Sequence, residues 1–201
     1  MFHNPSTAGA CMTSVRIVWF IVCLLWISAE IRLARRASHN SQQILQSEQH
    51  SQRWLWLSIV TGIGFALGFK QLAWLPIPLD YLPRQLLAMP LFLAGLGLRG
   101  WAIQHLGHFF TTNVTIHQQH QLIQTGPYRW LRHPAYTGLW LALLAAGLAM
   151  GDFLAWLCLT VPSFWVLSAR IRIEERMLQQ QFLHDYQDYC KSRWRLLPGL
   201  Y

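Results

Sequence analysis

Two segments of this 201-residue chain concentrate the side chains that could do chemistry. The first, GPYRWLRHPAYTG from Gly126 to Gly138, packs two tyrosines, two arginines and one histidine into a short stretch. Gly126-Pro127 and His133-Pro134 set local turns there, and an apolar run follows, so the segment reads as a rigid polar collar where a helix begins. A collar of this kind suits a lipid headgroup anchor or a polar cofactor, and composition does not separate the two. The second segment, ARIRIEERMLQQQFLHDYQDYC, begins at Ala169. Arg170 and Glu174 lie four apart and share a helix face that Leu178 and Phe182 continue. They suit a surface ion pair on an amphipathic tail. Because Glu174 and Glu175 are two of only 8 acidic residues, they equally suit a cation seat near the collar.

Three further patterns carry less. GLGLRG, Gly95 to Gly100, matches the GxGxxG dinucleotide fingerprint, but that fingerprint works as a strand-to-helix turn with an acidic residue about 20 positions on. Here it sits in an apolar helix and is followed by Gln118, Gln119, His120 and Gln121, so glycines for close helix packing or for a flat ligand are the readings left. Arg99 puts a charge inside an apolar run, which calls for a partner, a watery cavity, or snorkelling to the nearby interface. His105, His108, His117 and His120 form two HxxH pairs without a Cys or acidic neighbour to complete a metal site, so no metal is expected.

The elements that must position these groups are apolar. Only 12% of residues are charged, about half of the roughly 25% usual in soluble domains. Uncharged runs recur at Ile17–Ala29, Trp54–Phe69, Leu86–Leu98, Tyr136–Met150 and Phe153–Ala169. With their flanks most approach the roughly 20 residues that cross a bilayer, and Pro134 can open the fourth because proline is accepted in a first helical turn. Segments such as WLWLSIVTGIGFALGF lack the polar face a soluble helix needs. The expectation is an all-α integral membrane bundle of about five transmembrane helices with a cytosolic C-terminal amphipathic helix, as one domain over 1–201. Residues 1–84 supply two variable spans and 85–201 the catalytic core. Gly64 with Gly68, and Gly147 with Gly151, are small pairs that would allow close helix approach. Ser38 to Gln52 reads as a polar loop or short surface helix.

The net charge of +8 follows from orientation. With five spans and the N-terminus outside, the cytosolic segments hold Arg32, Arg35, Arg36 and Arg53, then Arg129 and Arg132, then Arg170, Arg172, Arg176, Lys191, Arg193 and Arg195. No nucleic-acid partner is needed to explain the charge. The arginines after the first run also argue against a signal peptide, whose positive charge precedes its apolar stretch. Cys11, Cys23, Cys158 and Cys190 show no CxxC spacing, so neither a zinc site nor a disulfide framework is indicated.

From Gly95 to Pro198 the chain resembles the isoprenylcysteine carboxyl methyltransferase family and its phospholipid methyltransferase relatives. The matching segments are Leu98-Arg99, LGHFFTTNV, HQLIQTGPYRWLRHPAYTG, RIRIEERML, FLHDYQDYC and RLLPG. Asn113 stands where the eukaryotic members have a glutamine, while Gly95, Gly97, Glu174 and Glu175 resemble the signature of the phospholipid branch. The resemblance implies methyl transfer from S-adenosyl-L-methionine (SAM) at the cytosolic membrane boundary. It implies that His120, Leu122, Ile123 and Tyr128 line the cofactor, that His133, Pro134, Ala135 and Tyr136 grip it, and that Glu174, with Glu175, closes the pocket. Arg99 and Arg170 would face the methyl acceptor, a lipophilic or small molecule reached through the membrane lipid. A carboxylate, an amine or a thiol acceptor all fit. A membrane scaffold or transporter-like protein that keeps the fold, and a metal-dependent oxidase using the histidines, are the alternatives.

Overall fold

Each apolar run lies within a helix that extends beyond it. The computed structural model describes residues 5–39, 46–107 and 122–199. It contains α1 (Pro5–His39), α2 (Gln46–Leu72), α3 (Tyr81–Leu106), a short 3-10 turn (Gly126–Arg129), α4 (Pro134–Met150) and α5 (Phe153–Lys191). Among the described residues there is no strand, only isolated bridges between Pro76 and Asp152 and between Leu131 and Trp194. The all-α expectation holds. Four helices, α1, α2, α3 and α5, are long and apolar enough to cross a membrane, and α4 is a shorter apolar helix. Its 17 residues span about 26 Å, close to the roughly 30 Å of a hydrocarbon core. Pro134 opens it, as the fixed φ of proline allows.

The surface pattern is that of a protein in lipid. Ile17, Phe20 and Leu25 on α1, Val60 and Phe65 on α2, and Val161 and Trp165 on α5 are exposed, while Glu30, Gln85, Thr160, Ser163 and Ser168 are buried. Water would penalise such large apolar patches, whereas lipid accepts them and drives polar groups inward. The chain is an integral membrane protein.

Close backbone approach holds the bundle. A Cβ on Gly95 would lie 2.7 Å from the Gly138 carbonyl oxygen, and one on Gly138 would lie 2.6 Å from the Arg99 nitrogen, so α3 and α4 cross where neither has a side chain. Gly62 meets α5 in the same way, 2.9 Å from the Cys158 oxygen. The expected glycine pairs are only partly used: Gly147 packs on Trp156, Gly64 and Gly68 face open space, and Gly151 is instead the left-handed cap of α4 with φ 83°. Of GLGLRG, Gly97 and Gly100 likewise meet nothing. Leu55, Ile59, Leu139, Leu143, Leu159 and Leu167 fill the space between α2, α4 and α5.

The two ends of the bundle differ. At one end, buried Asp152 caps α5 through the amides of Leu154 (2.9 Å) and Ala155 (3.0 Å), and its other oxygen accepts from Leu75 (2.9 Å), tying the α2–α3 loop to the α4–α5 turn. At the other end lie the collar, the chain after α5, and the last turns of α1 and α3. The amphipathic helix expected after the last span is the continuation of α5, interrupted only at Leu183 (φ 42°, ψ −111°). At 39 residues α5 is about 58 Å long, so only its first half crosses and the part from Arg170 onward projects past the membrane. The polar stretch 38–52 closes α1 and opens α2, with residues 40–45 outside the described part.

Candidate active site

The collar is built by hydrogen bonds to the chain that follows α5. Arg132 N donates to Trp194 O (2.8 Å), His133 N to Arg195 O (3.2 Å) and Trp194 N to Trp130 O (3.1 Å). Thr137 Oγ1 donates to Leu196 O at 2.8 Å. Tyr189, on the turns beyond the Leu183 break, donates its hydroxyl to Tyr128 O at 2.9 Å. These bonds place the start of α4 directly beside the projecting half of α5, and the two chemistry-bearing segments meet.

Glu175 is the electrostatic hub of that meeting. It accepts from Arg132 Nη1 at 2.8 Å and from Arg195 through Nη2 (2.7 Å) and Nε (3.1 Å), and His133 Nε2 lies 3.3 Å away. Its side chain is 8% exposed. Burial pushes the Glu175 carboxyl up, but the hydrogen bonds from His133 and Arg195 and the charges of His133 and Arg132 outweigh it and hold the pKa at about 2. Its negative charge is thus spent within the protein.

Glu174 is differently placed. Its Oε2 lies 3.6 Å from His133 Nδ1, beyond hydrogen-bond range, and that buried oxygen has no hydrogen-bond partner among the described residues. His133, which is buried, stacks on Tyr136 with ring centroids 5.8 Å apart and 26° between planes. The Arg170 guanidinium sits 6.0 Å from the Tyr136 ring centroid. Tyr128 is buried against Ala102, Ile103 and Ala135, with Ile123 packed on the same cluster. Burial first, and then the charge of Glu174, push the Tyr128 phenol well above its ordinary range, so it serves as a neutral hydroxyl and not as a base.

Of the residues expected to form a cofactor site, Tyr128, His133, Pro134, Ala135, Tyr136, Glu174 and Glu175 therefore gather at one end of the bundle, with Ile123 against Tyr128 and Leu122 half-buried beside it in sequence. His120 lies outside the described residues, as do His108, Asn113 and His117. Arg99 does not snorkel. Its side chain, 12% exposed, grips Glu30 of α1 in a two-pronged ion pair (Nε–Oε1 2.5 Å, Nη2–Oε2 2.8 Å) and donates to Ala135 O at 3.2 Å. Sequence reasoning missed Glu30, and it missed Arg132 and Arg195 as the partners of Glu175. An acidic residue ending an apolar run that must lie opposite an intramembrane arginine was the signal for Glu30. Nothing in the spacing pointed to the chain that follows α5.

Residues 86–180 match the family model described as the isoprenylcysteine carboxyl methyltransferase (ICMT) family. Over 103 residues the chain is 32% identical to a probable protein-S-isoprenylcysteine O-methyltransferase of Oryza sativa subsp. indica, covering 50% of this chain and 54% of that one. Over 83 residues it is 30% identical to the uncharacterized protein YpbQ of Bacillus subtilis, covering 41% and 49%. The chain thus spans about half the length of the curated relatives it matches. A solved structure of the eukaryotic intramembrane Ras methyltransferase ICMT superposes with a TM-score of 0.51 at 24% identity, over 78% of this chain and 55% of that one, and shares its fold. The segment 86–180, which holds Arg99, the collar and the acidic pair, is thus the part of the chain that is similar to the isoprenylcysteine carboxyl methyltransferase family.

Proposed function

We propose that the protein is a membrane methyltransferase that takes its methyl group from SAM. One observation carries this: His133 and Tyr136 at the start of α4 and Glu174 on α5, far apart in sequence, converge while a buried Glu174 oxygen is left without a hydrogen bond among the described residues. A buried acceptor of this kind is costly unless a ligand satisfies it. The donor is cationic and carries amino and hydroxyl donors, which suits Glu174, because Glu175 is already neutralised by Arg132 and Arg195. The aromatic faces of Tyr128 and Tyr136 suit its cationic and aromatic portions. When bound, its sulfonium supplies an activated methyl that passes to the acceptor nucleophile while sulfur keeps the electron pair of the broken bond.

The protein's own task is then alignment and exclusion of water. Arg170, beside Tyr136, would orient the acceptor, and the lipid-exposed flanks of the bundle would let a lipophilic acceptor arrive laterally. The Oryza sativa relative is named a probable protein-S-isoprenylcysteine O-methyltransferase, which favours a carboxylate over an amine or thiol here too. A carboxylate attacks without a general base, in keeping with a Tyr128 phenol held neutral. The positive-inside bias puts the collar end at the cytosol and the start of α1 on the opposite side. The test is to incubate purified protein with methyl-labelled SAM and three acceptors in nanodiscs: an S-prenylated cysteine with a free carboxylate, a phospholipid amine and a lipophilic thiol. Label in the first as a base-labile ester supports the reading. Label in another reassigns the acceptor, and absence of donor binding refutes the enzyme.

A further inference from the structure

The first helix touches the rest of the molecule sparingly, and none of its most apolar stretch is buried. Yet it carries Glu30, which is only 7% exposed. A carboxylate at that depth is expensive unless fully paired, and here it is: Arg99 holds both oxygens and Trp26 Nε1 donates to Oε1 at 3.1 Å. The remaining arm of Arg99, Nη1, reaches Ala135 O at 3.2 Å, between His133 and Tyr136. The Arg99 backbone is also pressed against Gly138, one turn further along α4. Glu30, Arg99 and the first turn of α4 therefore form one connected unit.

We propose that Glu30 is a positioning residue of the methyl-transfer site: by holding Arg99 it fixes the first turn of α4, where His133 and Tyr136 receive the donor. This assignment rests on the methyltransferase reading, and it moves Arg99 from an acceptor contact to a support, because Glu30 fills the fork that an acceptor carboxylate would need. Anchoring of α1 alone would not call for it. A second polar tie already holds that helix toward the other end, where Trp19 Nε1 donates to Gln85 Oε1 (2.7 Å) and Gln85 Nε2 to Ala149 O (2.9 Å).

That second tie supplies the control. In nanodiscs, Glu30→Gln is expected to speed amide hydrogen exchange at residues 135–138 of the ligand-free protein and to weaken SAM binding by about tenfold, a size usual for coupled sites. Glu30→Asp should recover most of both, and Trp19→Phe, which loosens α1 at its other end, should change neither. Unchanged exchange and affinity in Glu30→Gln, or equal losses in Trp19→Phe, would overturn the proposal and leave Glu30 an anchor of α1. If the wild type itself fails to bind SAM, the methyltransferase reading falls, and exchange at 135–138 still reads whether Glu30 supports α4.

Discussion

The two adjacent glutamates should fail in opposite ways. Glu175 is 8% exposed and engages Arg132 and Arg195 at 2.7–3.1 Å, whereas Glu174 is 32% exposed and its Oε2 lies 3.6 Å from His133 Nδ1. Each charge-assisted bond to Glu175 is worth roughly 1.5–3 kcal/mol, and stripping one partner from a buried pair costs about 3–5 kcal/mol. In Glu175→Gln an acceptor oxygen remains and Arg195, 27% exposed, can rehydrate, so a loss of about 2–3 kcal/mol is expected. For a chain of this length that lowers the thermal midpoint by roughly 5–10 °C. Glu174→Gln should leave stability within about 0.5 kcal/mol but weaken SAM binding by about 10- to 100-fold, the equivalent of one charge-assisted contact to a cation. Tryptophan fluorescence melts in detergent and titration calorimetry read the two quantities. Equal melting points for Glu175→Gln and wild type, or a Glu174→Gln protein that melts early and binds the donor normally, would refute this division of labour.

The depressed carboxyl of Glu175 also sets a pH dependence. Its stabilising contribution is complete above the ordinary carboxyl range and is lost as pH falls through about 2, so between roughly pH 4.5 and 2 the wild-type melting temperature should fall more steeply than that of Glu175→Gln; parallel curves would contradict this. At the opposite end of the bundle, Asp152→Ala removes the two carboxylate oxygens that accept from three backbone amides at 2.9–3.0 Å and should cost about 2–4 kcal/mol while leaving the donor affinity of the surviving folded fraction unchanged. Gly138→Ala puts a methyl 2.6 Å from the Arg99 nitrogen, so α3 and α4 must separate; it should lower both melting temperature and donor affinity, and a fully active Gly138→Ala protein would show that the crossing is looser than described.

Helix number, the start of α4 and the chemical content of the site were legible because they follow from local rules. Apolar runs near bilayer length admit only helices in lipid, and Pro134 marks a first turn. The rarity of acidic residues singled out Glu174 and Glu175. What stayed hidden depends on distant segments. No local pattern tells that the chain around Trp194 pairs with Leu131, so Arg195 as a partner of Glu175 could not be read. Arg99 posed a two-way choice, and only the placement of α1 reveals that Glu30 resolves it. Gly64, Gly68 and Gly95 look alike in sequence, yet only Gly95 meets another helix, because the rotation of each helix about its axis is set by packing and not by composition.

The central claim is that the collar and the acidic turn of α5 surround one donor molecule. Ultraviolet cross-linking of labelled SAM to the purified protein, with the adducts mapped by peptide sequencing, tests it most directly. The account predicts one label per chain, displaced by the demethylated product, with adducts divided between residues 128–136 and the turn carrying Glu174. Saturable labelling confined to a segment away from both would contradict it, as would no displaceable labelling at all.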